Sequence, residues 1–478
     1  MSVRDFSSQK EAGFQSPRKF KALTESPQLG SRKIGMQYLQ DLGITHIQLM
    51  PVYDFGSVDE KHPEQVYNWG YDPVQYNLPD GSFASNPDDP YSRIIELQEA
   101  IAAYHTADMS VIMDVVYNHV YNADSFAFEK IVPGYFYRLD KNNKRTNGTF
   151  CGNDVASERA MIRRYIKHSV KQWINLYGFD GFRFDLMGIL DIETMNQLAE
   201  ELKEDYPNIY LYGEGWKMAT GLDATLLAHQ YNAKQLTDYG FFSDDFRDTI
   251  KKTILEGHKL SDTEWTSSMV NLLTANVGLE SATHFQSPRQ AINYTECHDD
   301  ATVFDYFKMK NPEIEHSERL ANARLALHLV LLSQGVPFIH SGQEFFRHKN
   351  LLDNSYNISD DINRLDWQRL MEYEQDVNFI RDLIAFRKAH PLLSLESRND
   401  ILEACQVKWI NDSLVEYSIS QKDQQLTILI NFSSEEQTYQ NSLQQQVLVA
   451  YPMISENNAL IPLATHYTIP AKQVLVLK

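Results

Sequence analysis

Four short stretches of this 478-residue chain gather side chains capable of acid–base or nucleophilic chemistry. Asp114-Val115-Val116-Tyr117-Asn118-His119 offers a carboxylate and an imidazole, and Arg183-Phe184-Asp185 sets a cation two residues from a carboxylate. Gly213-Glu214-Gly215-Trp216 places a carboxylate beside an indole, and Glu296-Cys297-His298-Asp299-Asp300 adds a histidine and a thiol among carboxylates. Singly, each has an ordinary reading: a structural Arg183–Asp185 ion pair, a satisfied core histidine at His119, a packing role for Trp216. Together they read otherwise, because carboxylates and histidines converging on one rim repel one another and persist where a reaction uses them.

Three reactions could use such a rim. Glycoside hydrolysis needs one carboxylate as nucleophile and one carboxyl held protonated as general acid. Metal-assisted hydrolysis needs a compact ligand set, which barrel amidohydrolases usually begin with a His-x-His pair on the first strand; this chain has Val3-Arg4-Asp5-Phe6 there. Proton abstraction beside a carbonyl normally brings a phosphate grip or a late-strand lysine, and neither is present.

Convergence requires elements that end on one side of the molecule. Eight short apolar runs, residues 2–6, 45–51, 111–116, 181–185, 209–212, 235–239, 291–295 and 336–340, alternate with segments of helical period such as 31–42, 159–177, 192–204 and 319–332. This predicts an α/β fold, a (β/α)8 TIM barrel, whose polar run ends fall where barrel enzymes carry their catalytic groups. Residues 121–156, rich in Asn, Gly, Lys and Asp, predict a short inserted subdomain after strand three. Beyond about residue 390 the pattern changes to β-type runs, 414–419, 426–430, 447–451 and 474–477. The expected organisation is a catalytic barrel over 1–390 and a small all-β sandwich domain over 391–478.

Composition bounds the partners. With 44 Lys+Arg against 64 Asp+Glu the formal charge is −20, which disfavours nucleic acid and anionic membrane surfaces. Three widely spaced cysteines, Cys151, Cys297 and Cys405, suggest neither a disulfide framework nor a zinc knuckle and read as reduced thiols. No apolar run reaches membrane-spanning length and no signal peptide is visible, so the expected compartment is cytoplasmic. The 26 tyrosines suit surfaces that stack on sugars, although most are expected in the core.

The four stretches, in their order and with Gly181-Phe-Arg-Phe-Asp185, Tyr212-Gly-Glu214-Gly-Trp216 and Thr295-Glu-Cys-His-Asp299 read in full, resemble the signature regions of the α-amylase family of glycoside hydrolases. Tyr67-Asn-Trp-Gly-Tyr-Asp-Pro73 is similar to the heptapeptide that marks type I pullulanases, the debranching members of that family. Cys151-Gly-Asn-Asp154 and Asn354-Ser-Tyr-Asn357 agree with this. The resemblance implies Asp185 as nucleophile, Glu214 as general acid/base and Asp299 as the carboxylate that orients the reacting sugar. It implies sugar contacts for Trp69, Tyr71, Asp114, His119, Arg183, Trp216 and His298, and retaining cleavage of α-1,6 branch links in a neutral α-glucan. Arg183, on the same face as Asp185, is expected to keep that carboxylate ionised, while Trp216 and Asp299 are expected to help Glu214 hold its proton.

No cofactor is required by this reading. It expects no metal among the site residues, while Asn118 and the insert leave calcium open as a ligand of hard oxygen atoms. Oligomeric state is not readable. Cys297 stands where Ser is commoner in the family and Asp300 where Asn is commoner, which puts activity level and pH optimum in question. The chain opens inside the region matching strand one, so a catalytic core is expected. A non-catalytic glucan-binding scaffold on the same barrel, and an α-1,4-acting or transglycosylating relative, remain alternatives.

Overall fold

A computed structural model describes residues 1–257, 259–279, 284–455 and 463–478. Residues 258 and 280–283 of the expected barrel, and 456–462 of the expected C-terminal domain, lie outside them. The chain divides into two compact units, Met1–Phe242 with Ser355–Trp367, and Ser243–Asn354 with Gln368–Lys478.

In the first unit five strands pair in parallel and in chain order: β1 (His46–Leu49), β2 (Ser110–Val115), β3 (Gly181–Phe184), β4 (Tyr210–Gly213) and β5 (Tyr239–Phe242). The strands β3 and β5 are buried at every position, as expected of a parallel sheet covered on both faces. Between β2 and β3 runs the helix Ala160–Tyr177, whose buried Ile162, Ile166, Ser169, Val170, Trp173, Ile174 and Tyr177 recur at helical spacing and cover the sheet. Trp173 is wholly inside and its indole N–H reaches the Tyr76 carbonyl at 2.9 Å, so the largest side chain of that face leaves no polar group unpaired.

Two of the eight predicted runs behave differently. Residues 2–6 are not a strand: Val3–Ser7 is a helix, because the Ser2 hydroxyl accepts from the Asp5 N–H and Asp5 lies in the first turn. The sixth run, 235–239, is shifted. Gln230–Gln235 forms a 3-10 helix and the strand begins at Tyr239, where continuous burial starts; Thr237 and Asp238 are exposed.

The predicted insert follows β2. It carries the short helix Ala127–Ile131 and isolated bridges Tyr137 to Val155 and Leu139 to Arg145. The buried Arg138 ties it to the segment after β3 by donating to the Ile189 carbonyl at 2.5 Å, and pairs with Glu158, ahead of the helix Ala160–Tyr177, at 3.0 Å.

In the second unit Ala291–Asn293 (β6) and Val336–Pro337 (β7) pair in parallel, joined through the helix His316–Leu332. Toward the C-terminus the strands turn antiparallel. Cys405–Trp409, Leu414–Gln421, Gln424–Asn431, Val474–Leu477, Val447–Ala450 and Met453–Ile454 lie side by side in that order, and Gln437–Gln440 pairs with His466–Ile469. Leu414, Leu429, Tyr439, Val447, Tyr467, Ile469, Leu475 and Leu477 form one buried cluster within these strands, each full burial contributing roughly 1.5–3 kcal/mol for a large aliphatic side chain.

Candidate active site

Strand register brings the first group of polar side chains together. Asp114 on β2 lies beside Arg183 on β3, and Arg183 beside Tyr212 on β4, so all three project to the same face. Asp185 and Glu214 each stand one residue beyond the end of their strand. Arg183 is 1% exposed and touches three carboxylates: Nη1 lies 2.8 Å from Asp114 Oδ1 and 3.0 Å from Asp185 Oδ1, and Nη2 donates to Glu214 Oε1. One buried guanidinium therefore supplies hydrogen bonds to three acidic groups, which could not otherwise be buried side by side. The sequence reading gave Arg183 to Asp185 and looked to Trp216 and Asp299 for Glu214. In the fold Arg183 serves Glu214 as well, and the Leu186 N–H donates to Glu214 Oε2 at 3.1 Å. Leu186 takes a left-handed backbone, φ 40°, directly after Asp185, a costly conformation for a branched side chain and one that turns its N–H toward the neighbouring strand end.

Further partners set the orientation of each group. The Asn118 amide nitrogen donates to Asp185 Oδ2 at 2.8 Å. Asp114 Oδ2 accepts from the Tyr71 hydroxyl at 2.8 Å and from Gln48 Nε2 at 3.2 Å, and the Tyr212 hydroxyl donates to Gln48 Oε1 at 2.6 Å. Burial pushes Asp114 up to about 7, and the guanidinium of Arg183 opposes that rise. His119 has its Nε2 2.8 Å from the Tyr71 carbonyl and its Nδ1 2.5 Å from Asn118 Oδ1, while burial lowers its pKa. Trp69 meets Tyr71 edge to face at 6.5 Å between centroids, and Tyr71 lies beneath the Arg183 guanidinium at 5.6 Å. Trp216 is half-buried on the segment that leaves Glu214.

Asp114, Arg183, Asp185, Glu214, Tyr71 and His119 thus stand in one hydrogen-bonded set, with Trp69 against Tyr71. Gln48, Asn118 and Leu186 complete it, and the sequence reading had not given them these parts. Gln48 left a signal, a polar residue inside the apolar run 45–51. Asn118 had been weighed only as a metal ligand, and nothing in the sequence marks Leu186.

The second unit holds His298 and Asp299 beyond β6. His298 is buried and its Nε2 lies 3.4 Å from Asp299 Oδ2, whose side chain is 48% exposed. Lys349, buried, donates through its ammonium to the His298 carbonyl and fixes the loop from below. Asp300 has φ 60° and accepts from Arg247 at 3.2 Å, Arg247 also reaching Asp248 and the Tyr294 hydroxyl. The buried Glu296 accepts from the Val303 N–H at 2.8 Å and lies 2.7 Å from His340 Nδ1.

Among the described residues, the buried oxygen donors Asn118 and Asp154 are already engaged. Asn118 turns its oxygen to His119 and its nitrogen to Asp185. In the insert, Asp154 accepts from the N–H groups of Gly148 and Thr149 and from the Thr220 hydroxyl. Asp54, Glu60 and Asp80 bring carboxylate oxygens within 4.8 Å of one another, but Arg93 pairs with Glu60, and Ser82 and Phe55 N–H groups occupy Asp80. Asn118, Asp154 and Asp80 thus already have their side-chain oxygen atoms engaged, and no step is derived through calcium.

Comparison with known proteins places this arrangement. The catalytic-domain model of alpha amylase matches residues 33–146 and 149–378. A pullulanase of Bacillus subtilis (strain 168) is 42% identical over 429 residues, covering 88% of this chain and 60% of that protein. Pullulanase 1, chloroplastic, of Arabidopsis thaliana is 31% identical over 456 residues, covering 76% and 47%. The crystal structure of pullulanase type I from Bacillus subtilis complexed with maltose superposes with TM-score 0.95 at 38% identity, covering all of this chain and 69% of that one. That of the Paenibacillus barengoltzii pullulanase with maltohexaose and alpha-cyclodextrin gives 0.93 at 36%, covering all of this chain and 76% of that one. The fold class is therefore α/β, that of the α-amylase-type (β/α)8 barrel with antiparallel sheets toward the C-terminus. The chain belongs to the α-amylase family and, within it, to the type I pullulanases. It spans 60% or less of the length of these two curated relatives. Among the described residues no helix is long and apolar enough to cross a membrane.

Proposed function

We propose that this chain hydrolyses α-1,6-glucosidic branch links in pullulan, amylopectin, glycogen or their limit dextrins, with retention of anomeric configuration. The observation that carries the reading is the single buried guanidinium of Arg183 joined to both Asp185 and Glu214. A retaining glycosidase needs its two carboxyl groups only about 5–5.5 Å apart, and sharing one cation suits that closeness better than the wider gap of inverting enzymes. Asp185 attacks the anomeric carbon, its oxygens aligned by Arg183 and Asn118. Glu214 in its acid form gives its proton to the departing glycosidic oxygen, so that the C–O bond breaks without releasing an alkoxide. The resulting glucosyl ester on Asp185 is then attacked by a water whose proton returns to Glu214. Asp299, by its place in the fourth signature region, supplies the carboxylate that orients the reacting sugar. Tyr71, Trp69, Trp216, His119, His298, Asp114 and Arg183 position the glucan.

The names and bound ligands of the relatives, a maltose complex and a maltohexaose complex among them, support an α-glucan as partner. Catalysis is assigned to residues 1–390, with 121–156 as an insert, and a stabilising role to the β-domain of 391–478.

The test is the product profile on pullulan, with Glu214→Gln as control. Maltotriose as the sole small product, lost in Glu214→Gln, is expected. Panose or isopanose would overturn the linkage, and equal product from the variant would overturn the role of Glu214.

A further inference from the structure

The most exposed large apolar side chain among the described residues is Phe150, at 83%, and it sits in the insert with φ 62°. A bulky side chain in the left-handed region is strained, and here no burial offsets the strain. Its ring makes no aromatic or cation contact among the described residues.

The segment that presents it is fixed at many points. The buried Asp154 accepts from the N–H groups of Gly148 and Thr149, both at 2.9 Å, and the Thr149 hydroxyl donates to the Asn153 carbonyl at 2.7 Å. Gly152 donates to Asn147 Oδ1 at 2.6 Å. The loop is also fastened to the segments that carry the site. The Asn153 amide bonds both the N–H and the carbonyl of Val120, and the Val155 N–H reaches the Asn118 carbonyl at 2.8 Å. On its other side the Thr220 hydroxyl, six residues past Glu214, donates to Asp154 at 2.7 Å. A Cβ on Gly148 would fall 2.3 Å from the Ala219 carbonyl oxygen, which measures how closely the two segments approach. Through Val155 the loop meets Asn118, the residue whose amide nitrogen holds the Asp185 carboxylate at 2.8 Å, so the loop is seated against the acidic site.

A firmly bonded loop that carries a strained, bare aromatic ring and is fastened to the segments of the site favours a neutral ligand with a flat apolar face. A glucosyl ring, whose C–H groups lie on such a face, has that chemistry, and an anionic ligand does not. We propose that Phe150 is a stacking subsite for a glucosyl residue of the branched substrate and helps set its affinity. The inference rests on the glucan-hydrolysing reading above.

Three variants test it: Phe150→Gly, which relieves the left-handed strain, Phe150→Ala, and Phe150→Tyr, which keeps a ring. Phe150→Gly should raise Tm, raise KM for pullulan about 5–10-fold and leave kcat within about twofold; Phe150→Ala should raise KM similarly, and Phe150→Tyr should leave it near the parent value. A raised Tm with unchanged KM in Phe150→Gly would overturn the proposal, because the residue would then be strained without use. If the parent chain does not cleave pullulan, the functional reading fails by itself. Calorimetric titration with maltotetraose then decides for Phe150: weaker binding in Phe150→Gly supports the subsite and equal binding removes it.

Discussion

The amide nitrogen of Asn118 lies 2.8 Å from Asp185 Oδ2 and 2.7 Å from the Asp185 carbonyl oxygen. One buried side chain therefore fixes both the backbone and the carboxylate of the residue that follows β3. Asn118→Ala removes both bonds and leaves a buried carbonyl unsatisfied, at a cost of about 1–3 kcal/mol in stability. A carboxylate released by about 1 Å should lower kcat about 10²-fold. Steady-state kinetics on pullulan with denaturant unfolding checks both, and an unchanged kcat would remove Asn118 from the positioning of Asp185.

Gly188 lies where the segment after β3 passes under the one after β4. Its N–H donates to the Glu214 carbonyl at 2.9 Å, and a Cβ there would fall 2.0 Å from the Trp216 carbonyl oxygen. Gly188→Ala must push the backbone that carries Glu214 and Trp216. The expected result is a loss of about 1–3 kcal/mol in stability, as for overpacking elsewhere, and a fall of about 10²-fold in kcat/KM. Gly188 is not among the positive-φ glycines, so the cost there comes from the clash alone, whereas Gly134→Ala, with φ 73° and no atom within 4 Å of the added Cβ, reports the cost of left-handed strain alone.

Glu296 ties stability to pH. Burial pushes it to about 8, with the Val303 N–H, Arg347 and Lys349 opposing the rise, while His340 beside it is held neutral, chiefly by burial. Because the folded value lies above the ordinary 4.5, the folded chain binds a proton that the unfolded chain has released. Stability from this group is full below about 4.5 and is lost as pH rises through about 8. Unfolding free energies measured across that range should fall more steeply for the wild type than for Glu296→Gln. Parallel curves would show that Glu296 ionises normally in the folded state.

Asp300, commoner as Asn in the family, has a structural reason to be either. It occupies a left-handed position, φ 60°, which Asn and Asp tolerate, and it accepts a hydrogen bond from Arg247. Asp300→Asn keeps both features and should change kcat by less than about threefold, an exposed ion pair contributing only about 0.2–1 kcal/mol. Asp300→Ala loses both and should lower Tm and kcat together. Kinetics of the pair decides whether this substitution tunes activity at all.

Much of this protein was legible in order along the chain. Run and helix periods identified six of the eight predicted runs in place, and the spacing in Arg183-Phe184-Asp185 put both groups on one face before any fold was known, because strand periodicity is local. Residues 2–6 misled because a five-residue run with only Val3 and Phe6 apolar fits either period and cannot show whether Ser2 will cap a helix. What the sequence could not contain was the sharing of Arg183. Its pairing with Asp114 spans 69 positions and with Glu214 spans 31, and only the parallel register of β2, β3 and β4 sets these side chains against one guanidinium. The same holds for Gln48 and Asn118, ordinary polar residues whose orientation is decided by what is buried around them. The sequence by itself determined which chemical groups are present and which strand ends carry them. The tertiary structure alone decided which cation holds which carboxylate, because that depends on contacts between strands far apart in the chain.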